Sequence, residues 1–233
     1  MALRDDILQV ALTCFNAEGY EHTTVARIRE VSGVSNGALF HHFRSKEAIA
    51  GALYLDAMSS VHDAYRQVLA ARPASVAAGV ADLVRAHLRW VEEHPDLARF
   101  VYDRGRPHRL PEVDARLEAM NAELGAGYLE WLEPFAARGE VLRLPLDVMV
   151  AIVTGPAHAI AQRWLAGGGQ GSLLRHADVL AAAAAAGLGA PSTVVPQPPR
   201  AATARIKVEL VGDDGAPFAG GMAQVPLDGA LPE

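Results

Sequence analysis

The chain has one cysteine, Cys14, among its 233 residues. No intramolecular disulfide is possible, so the fold must rest on a buried core, which a chain of this length can supply. So little thiol fits a reducing compartment. No uninterrupted apolar run reaches the roughly 18 residues that a membrane span requires. The opening MALRDDILQV has acids where a secretory leader would have its basic and apolar regions. The expectation is a cytoplasmic protein with no membrane partner. Basic residues are fewer than acidic ones, 21 against 27, for a formal charge of −6. A chain of that sign has no global attraction for nucleic acid, so any contact with phosphates must come from local charge. Internal repeats are absent too. No nucleophile stands beside a base, no carboxylates pair, no phosphate loop occurs, and no ligand set has metal spacing. An enzyme, a cofactor and a bound metal are therefore not expected.

Helical periodicity, by contrast, is plentiful. Ile7, Leu8, Ala11, Leu12 and Phe15 share one face of a first segment that stops at Gly19. Thr24 is suited to cap a second helix with Val25, Ile28 and Val31 inward. Gly33-Val34-Ser35 connects it to a short third helix running from about Asn36 to Phe43. Ser45 caps a long fourth helix with Ile49, Leu53, Val61, Tyr65 and Val68 on its buried stripe. Pro73, Pro95, Pro107, Pro111, Pro134 and Pro145 punctuate the remainder of the chain. Between them lie stripes of Val80, Leu83, Val84, His87, Leu88 and Val91, and of Leu117, Met120, Leu124, Tyr128 and Trp131. The segment 147–165 is almost wholly apolar, and 173–188 is alanine-rich. From Gly189 prolines mark a linker. Ile206, Val208 and Leu210 then alternate with Arg205, Lys207 and Glu209, and a turn-like Gly212-Asp213-Asp214-Gly215 comes next, as in a hairpin. The predicted fold is all-α: a three-helix domain over 1–46, a helical domain over 47–188, and a Pro-rich linker with a short extended or β-hairpin tail over 189–233.

The stretch Thr23 to Glu47, TTVARIREVSGVSNGALFHHFRSKE, has the physics of a helix-turn-helix. Two short helices meet at a turn containing Gly33, and the second is of a kind that enters a major groove. Such a helix needs small or polar residues at its start, here Ser35, Asn36, Gly37 and Ala38, and apolar anchors, here Leu39 and Phe43. No acid lies between Glu30 and Glu47, while His41, His42, Arg44 and Lys46 all do. Over the first 50 residues five Lys or Arg stand against six Asp or Glu, so the acids would have to face away from DNA. The modest basicity predicts weak binding per monomer, which a dimer on two half-sites would offset.

Through residues 4–53 the sequence resembles the TetR (tetracycline-repressor-type) family of bacterial regulators. Arg4, Ile7, Leu8, Ala11, Phe15, Gly19, Tyr20, Thr24, Ile28, Gly33, Val34, Ser35, Gly37, Leu39, Phe40, His42, Phe43, Ser45, Lys46 and Glu47 carry the resemblance. Residues 54–188 resemble the family in architecture alone. The resemblance implies that Thr24 and Lys46 hold phosphates and that Ser35, Asn36, Gly37, Ala38, Phe40, His41 and His42 approach DNA. Asn36 is the best base reader, since an amide can pair with adenine through two bonds. Two departures stand out. Phe40 replaces the usual tyrosine, losing a phosphate-binding hydroxyl but leaving a ring for a thymine methyl. Arg29 replaces a small residue, and either its head reaches a phosphate or the interhelical angle differs.

The resemblance also implies a small-molecule cavity inside the helical domain, for which His87, Trp90, Tyr102, Met120, Tyr128, Trp131 and His158 are the candidates beside plain core packing. The basic run Arg104, Arg106, His108 and Arg109 is either an anion receiver or a solvated turn. Helices over 147–165 and 173–188 would form a homodimer interface, with Ala159, Ala182, Ala183 and Ala186 allowing close approach, and the dimer would match a palindromic double-stranded operator. The implied function is a ligand-responsive, DNA-binding transcriptional repressor released by a small, apolar effector. The alternative is a ligand-binding or scaffolding protein of the same fold that has lost specific DNA binding.

Overall fold

Serine and threonine side chains set where the first helices begin. Thr24, Ser35, Ser45 and Ser75 precede α2 (Val25–Ser32), α3 (Asn36–His42), α4 (Lys46–Ala70) and α5 (Val76–Glu93), and each side-chain oxygen accepts the backbone N–H three residues on at 3.1 or 3.2 Å. Each such cap is worth about 1 kcal/mol. The helix before them, α1 (Ala2–Glu18), stops where Gly19 takes a φ of 81°, and α2 stops where Gly33 takes 68°; a side chain is strained in that left-handed region. The loop between α1 and α2 is locked by Thr23. Its buried hydroxyl donates to the Gly19 and Cys14 carbonyls at 2.8 and 3.2 Å. The computed structural model describes residues 2–102, 110–168 and 171–189, with the backbone of 202–211 and 217–227.

Further along run α6 (Pro95–Tyr102), α7 (Pro111–Ala137), α8 (Leu146–Arg163), a π turn Trp164–Gly168, a 3-10 turn Leu173–His176 and α9 (Ala177–Leu188). Pro95 and Pro111 open α6 and α7, where a missing N–H costs nothing. Pro134, expected to interrupt, lies inside α7 three residues before its end. So late in the helix, only the last turn feels its lost bond. The final helix is also less regular than its alanine content suggested, since it starts with the 3-10 turn.

Two cores form along this chain. The first joins Ile7, Leu8, Leu12 and Phe15 of α1 to Ile28, Leu39, Phe43, Ile49 and Leu53, with Phe100 of α6 added. Cys14 is buried in it, and that burial raises its thiol pKa. Val31, expected inward, is 46% exposed. It lies three residues beyond Ile28, about 60° around the helix, which on so short a helix is past the seam with α1. The second core gathers α4, α5, α7, α8 and α9. α5 lies at its centre, and the Trp131 ring of α7 reaches over it so closely that a Cβ at Gly79 would stand 2.0 Å from the ring. Arg85 of α5 pairs with Asp178 of α9 at 2.7 Å, and the Glu92 carboxylate accepts the Leu173 N–H.

No helix among the described residues is long and apolar enough to cross a membrane. The chain divides into two compact units, Met1–Ala190 and Pro191–Glu233. In the second, β1 (Ala202–Val211) and β2 (Pro217–Leu227) pair antiparallel, with Ile206 opposite Ala223. The turn residues 212–215 lie outside the described residues.

Candidate nucleic-acid interface and interior cavity

α3 is anchored from below and bare above. Leu39 and Phe43 are buried at 0% and 5% exposure, while Asn36, Gly37, Phe40, His41 and His42 are exposed, with Phe40 at 46%. Ala38 is half-buried. Thr24 and Ser35 use their oxygens as cap acceptors, so each keeps its own O–H to donate outward. The acids nearby are tied down or turned aside: Arg27 binds Glu18 at 2.9 Å and Glu30 at 3.3 Å. Arg29 and Arg44 are exposed and make no ion pair among the described residues. They are the local cations that the net charge hides.

Lys46 opens α4, where the sequence put it, and is engaged by the protein itself. Its ammonium donates to the carbonyls of Tyr20 and Glu21 at 2.8 and 3.3 Å and lies 4.3 Å from the centre of the Tyr20 ring. The neighbouring Glu47 accepts from Tyr20 Oη at 3.4 Å. Burial, then the Glu47 charge, pushes the Tyr20 phenol up to about 12, and hydrogen bonds from its own backbone N–H and Ser45 hold the Glu47 carboxyl down. Together the pair latches the start of α4 to the α1–α2 loop, so a phosphate on Lys46 would share the ammonium with these carbonyls.

Beneath this domain, α4, α5, α6, α7 and α8 enclose a cavity of about 530 Å³, within the range of small-molecule sites. His87, Trp90, Tyr102, Tyr128 and His158 line it; Met120 and Trp131 are buried but do not. The cavity takes the α7 stripe Asn121, Leu124, Gly125 and Tyr128. Met120 sits about 100° around from Asn121, and Trp131 is a turn further on, over Gly79, with Nε1 donating to the Pro73 carbonyl at 3.4 Å. Sequence reasoning missed Tyr54, His62, Tyr65 and Thr154, which also line the cavity. A histidine beside the apolar stripe of α4 was the available signal for His62.

The polar centre of the cavity is His87. Its Nδ1 is 2.7 Å from Tyr65 Oη and its Nε2 2.8 Å from Tyr102 Oη. The His158 ring lies 4.4 Å away, centre to centre. Burial, with a smaller contribution from His158, drives the His87 pKa down to about 3. Burial also lowers His158 and, with Arg66 nearby, His62, and it raises Tyr65, Tyr102 and Tyr128. These imidazoles and phenols of the wall are therefore uncharged at ordinary pH. Among the described residues no group of three or more His, Cys, Asp or Glu is placed to hold a metal. The basic residues Arg104, Arg106, His108 and Arg109 lie outside the described residues.

A helix-turn-helix with a bare, acid-free second helix, seated on a helical bundle with a cavity, is the architecture of a DNA-binding regulator. A family model described as bacterial regulatory proteins, tetR family, matches residues 7–53. Over 170 residues the chain is 30% identical to the HTH-type transcriptional repressor KstR2 of Mycolicibacterium smegmatis, covering 71% of this chain and 80% of that protein. It is 31% identical over 180 residues to the HTH-type transcriptional repressor AcnR of Corynebacterium diphtheriae, covering 76% and 88%. The crystal structure of a TetR family transcription regulator from Marinobacter aquaeolei superposes with a TM-score of 0.66 at 21% identity, over 80% of this chain and 95% of that one. The chain belongs to the tetR family of bacterial regulatory proteins.

Proposed function

We propose that the protein is a cytoplasmic, homodimeric repressor that grips a palindromic operator with α3 and releases it when a small, largely apolar molecule enters the cavity. The observation that carries this reading is α4. It runs unbroken from the first core, at Ile49 and Leu53, to the cavity wall, at Val61, His62 and Tyr65. A second connection runs through α6. Tyr102 lines the cavity, Phe100 stacks on Phe15 of α1 at 5.7 Å, and Asn16 donates to the Asp96 carbonyl at 3.0 Å. A ligand that fits one arrangement of these helices better than the other shifts the population toward it, and DNA and ligand then weaken each other by the same factor.

On the DNA, Asn36 reads a base, Phe40 meets a thymine methyl, and Thr24, Ser35, Arg29, His41, His42 and Lys46 bind phosphates or groove edges while Gly37 and Ala38 admit the backbone. The dimer is supported by the outer faces of α8 and α9. Val148 and Val179 are 41% and 66% exposed, and Ala159, Ala182, Ala183 and Ala186 lie exposed beside them. These small apolar side chains let two copies pack as a four-helix bundle. Footprinting of the region upstream of the gene tests the proposal. The expected result is a two-fold symmetric protected site with half-sites about one helical turn apart, lost in Asn36→Ala. Protection without symmetry, or untouched by Asn36→Ala, contradicts it.

A further inference from the structure

Among the residues of the cavity wall, His62 carries a polar atom that is fully buried and unsatisfied. His62 is 4% exposed, and its Nδ1 is buried without a hydrogen-bond partner among the described residues. Orphaning a buried polar atom costs about 1–3 kcal/mol, and native structures rarely tolerate it without a use. His87 offers a contrast, since a tyrosine hydroxyl meets each of its nitrogens. A neutral imidazole has one N–H and one lone pair, so His87 donates to one tyrosine and accepts from the other. The tyrosine that accepts keeps its own O–H for a further partner.

The rest of the wall limits what such a partner is. No lysine or arginine occurs among the described residues that line the cavity, and Asp147 is their one carboxylate. Among the described lining residues an anion finds no countercharge, and removing its charge from water is costly. The remaining surface is set by Met58, Val61, Leu124, Leu146, Val150 and the aromatic rings. A hydroxyl both donates and accepts, so it serves either tautomer of His62 and can also take the spare tyrosine proton.

Resting on the reading of this cavity as the effector site, we infer that the effector is an uncharged, largely apolar small molecule whose hydroxyl group hydrogen-bonds to His62 Nδ1. His62 is then the specificity-determining residue for the hydroxyl, while the apolar wall supplies the bulk of the affinity.

Calorimetric titration of the full chain with 2-naphthol, naphthalene and 2-naphthoate tests this. One hydrogen bond predicts 2-naphthol binding about tenfold tighter than naphthalene, with 2-naphthoate weakest. In His62→Phe the advantage of 2-naphthol over naphthalene falls below about threefold, while His62→Gln, which keeps a donor and an acceptor, retains most of it. His62→Leu serves if His62→Phe does not fold. Equal binding of 2-naphthol and naphthalene to the native chain overturns the inference, as does an advantage that survives His62→Phe. Preference for 2-naphthoate overturns it by showing a charged ligand. If none of the three binds, the reading of the cavity as an effector site falls with it.

Discussion

His87 makes stability depend on pH in a way that can be worked out from its surroundings. The imidazole is 2% exposed and its pKa lies near 3, against an ordinary value of 6.5. In the unfolded chain it takes a proton as pH falls through 6.5; in the folded chain it does not until pH nears 3. The unfolded state thus binds more protons throughout that window, so stability is complete above pH 6.5 and declines below it. At pH 5 the gap is about 1.5 pH units, or about 2 kcal/mol from this residue alone. His62 and His158 are shifted in the same direction and add to the loss. Replacing His87 by leucine leaves the Tyr65 and Tyr102 hydroxyls unpaired, which costs stability at every pH but removes one titrating group. Urea unfolding at fixed protein concentration, followed by circular dichroism at pH 7 and pH 5, separates the two effects. The native chain should lose about 2 kcal/mol more than His87→Leu between these values, about 1 M in midpoint at a slope near 2 kcal/mol/M. Equal losses would refute a buried, neutral His87.

Gly79→Ala should destabilise by about 1–3 kcal/mol in thermal or urea unfolding, because the added methyl meets the rigid Trp131 ring and overpacking outweighs the gain in helix propensity. Val179→Glu, on the outer face of α9 where the side chain is 66% exposed, should leave circular dichroism unchanged while halving the mass seen by sedimentation. Removing residues 200–233, which belong to the separate Pro191–Glu233 unit, should leave operator affinity unchanged within a few-fold in a gel-shift titration.

The helix-turn-helix was legible because its rules are local. Thr24, Ser35 and Ser45 announce helix starts by their side chains, Gly19 and Gly33 announce stops, and Leu39 and Phe43 repeat at four residues. The cavity was legible only in part. The family resemblance implied it and offered His87, Trp90, Tyr102, Tyr128 and His158 among other candidates, yet position on a helix cannot tell a cavity wall from packed core. Which applies depends on how far apart the neighbouring helices stand. Trp131 fell on the packed side because Gly79 leaves room for its ring against α5, a fact that needs both helices at once. His62 went unnoticed and Tyr65 was read as plain core for the converse reason, as they occupy core-like positions on α4 where the facing helices leave room. Lys46 shows the same limit: its position at the start of α4 is local, but the carbonyls that hold it come from a loop 25 and 26 residues earlier.

The central claim is that α3 reads DNA. Fluorescence anisotropy of the full chain on the duplex upstream of its gene, against a scrambled duplex at 50 and 200 mM salt, tests it most directly. The prediction is tight binding to the native duplex alone, weakened about a hundredfold by the added salt if some four phosphates are neutralised, and weakened a further tenfold or so by Asn36→Ala. Equal binding to both duplexes, indifferent to Asn36→Ala, would contradict it and favour a protein that keeps the fold without reading sequence.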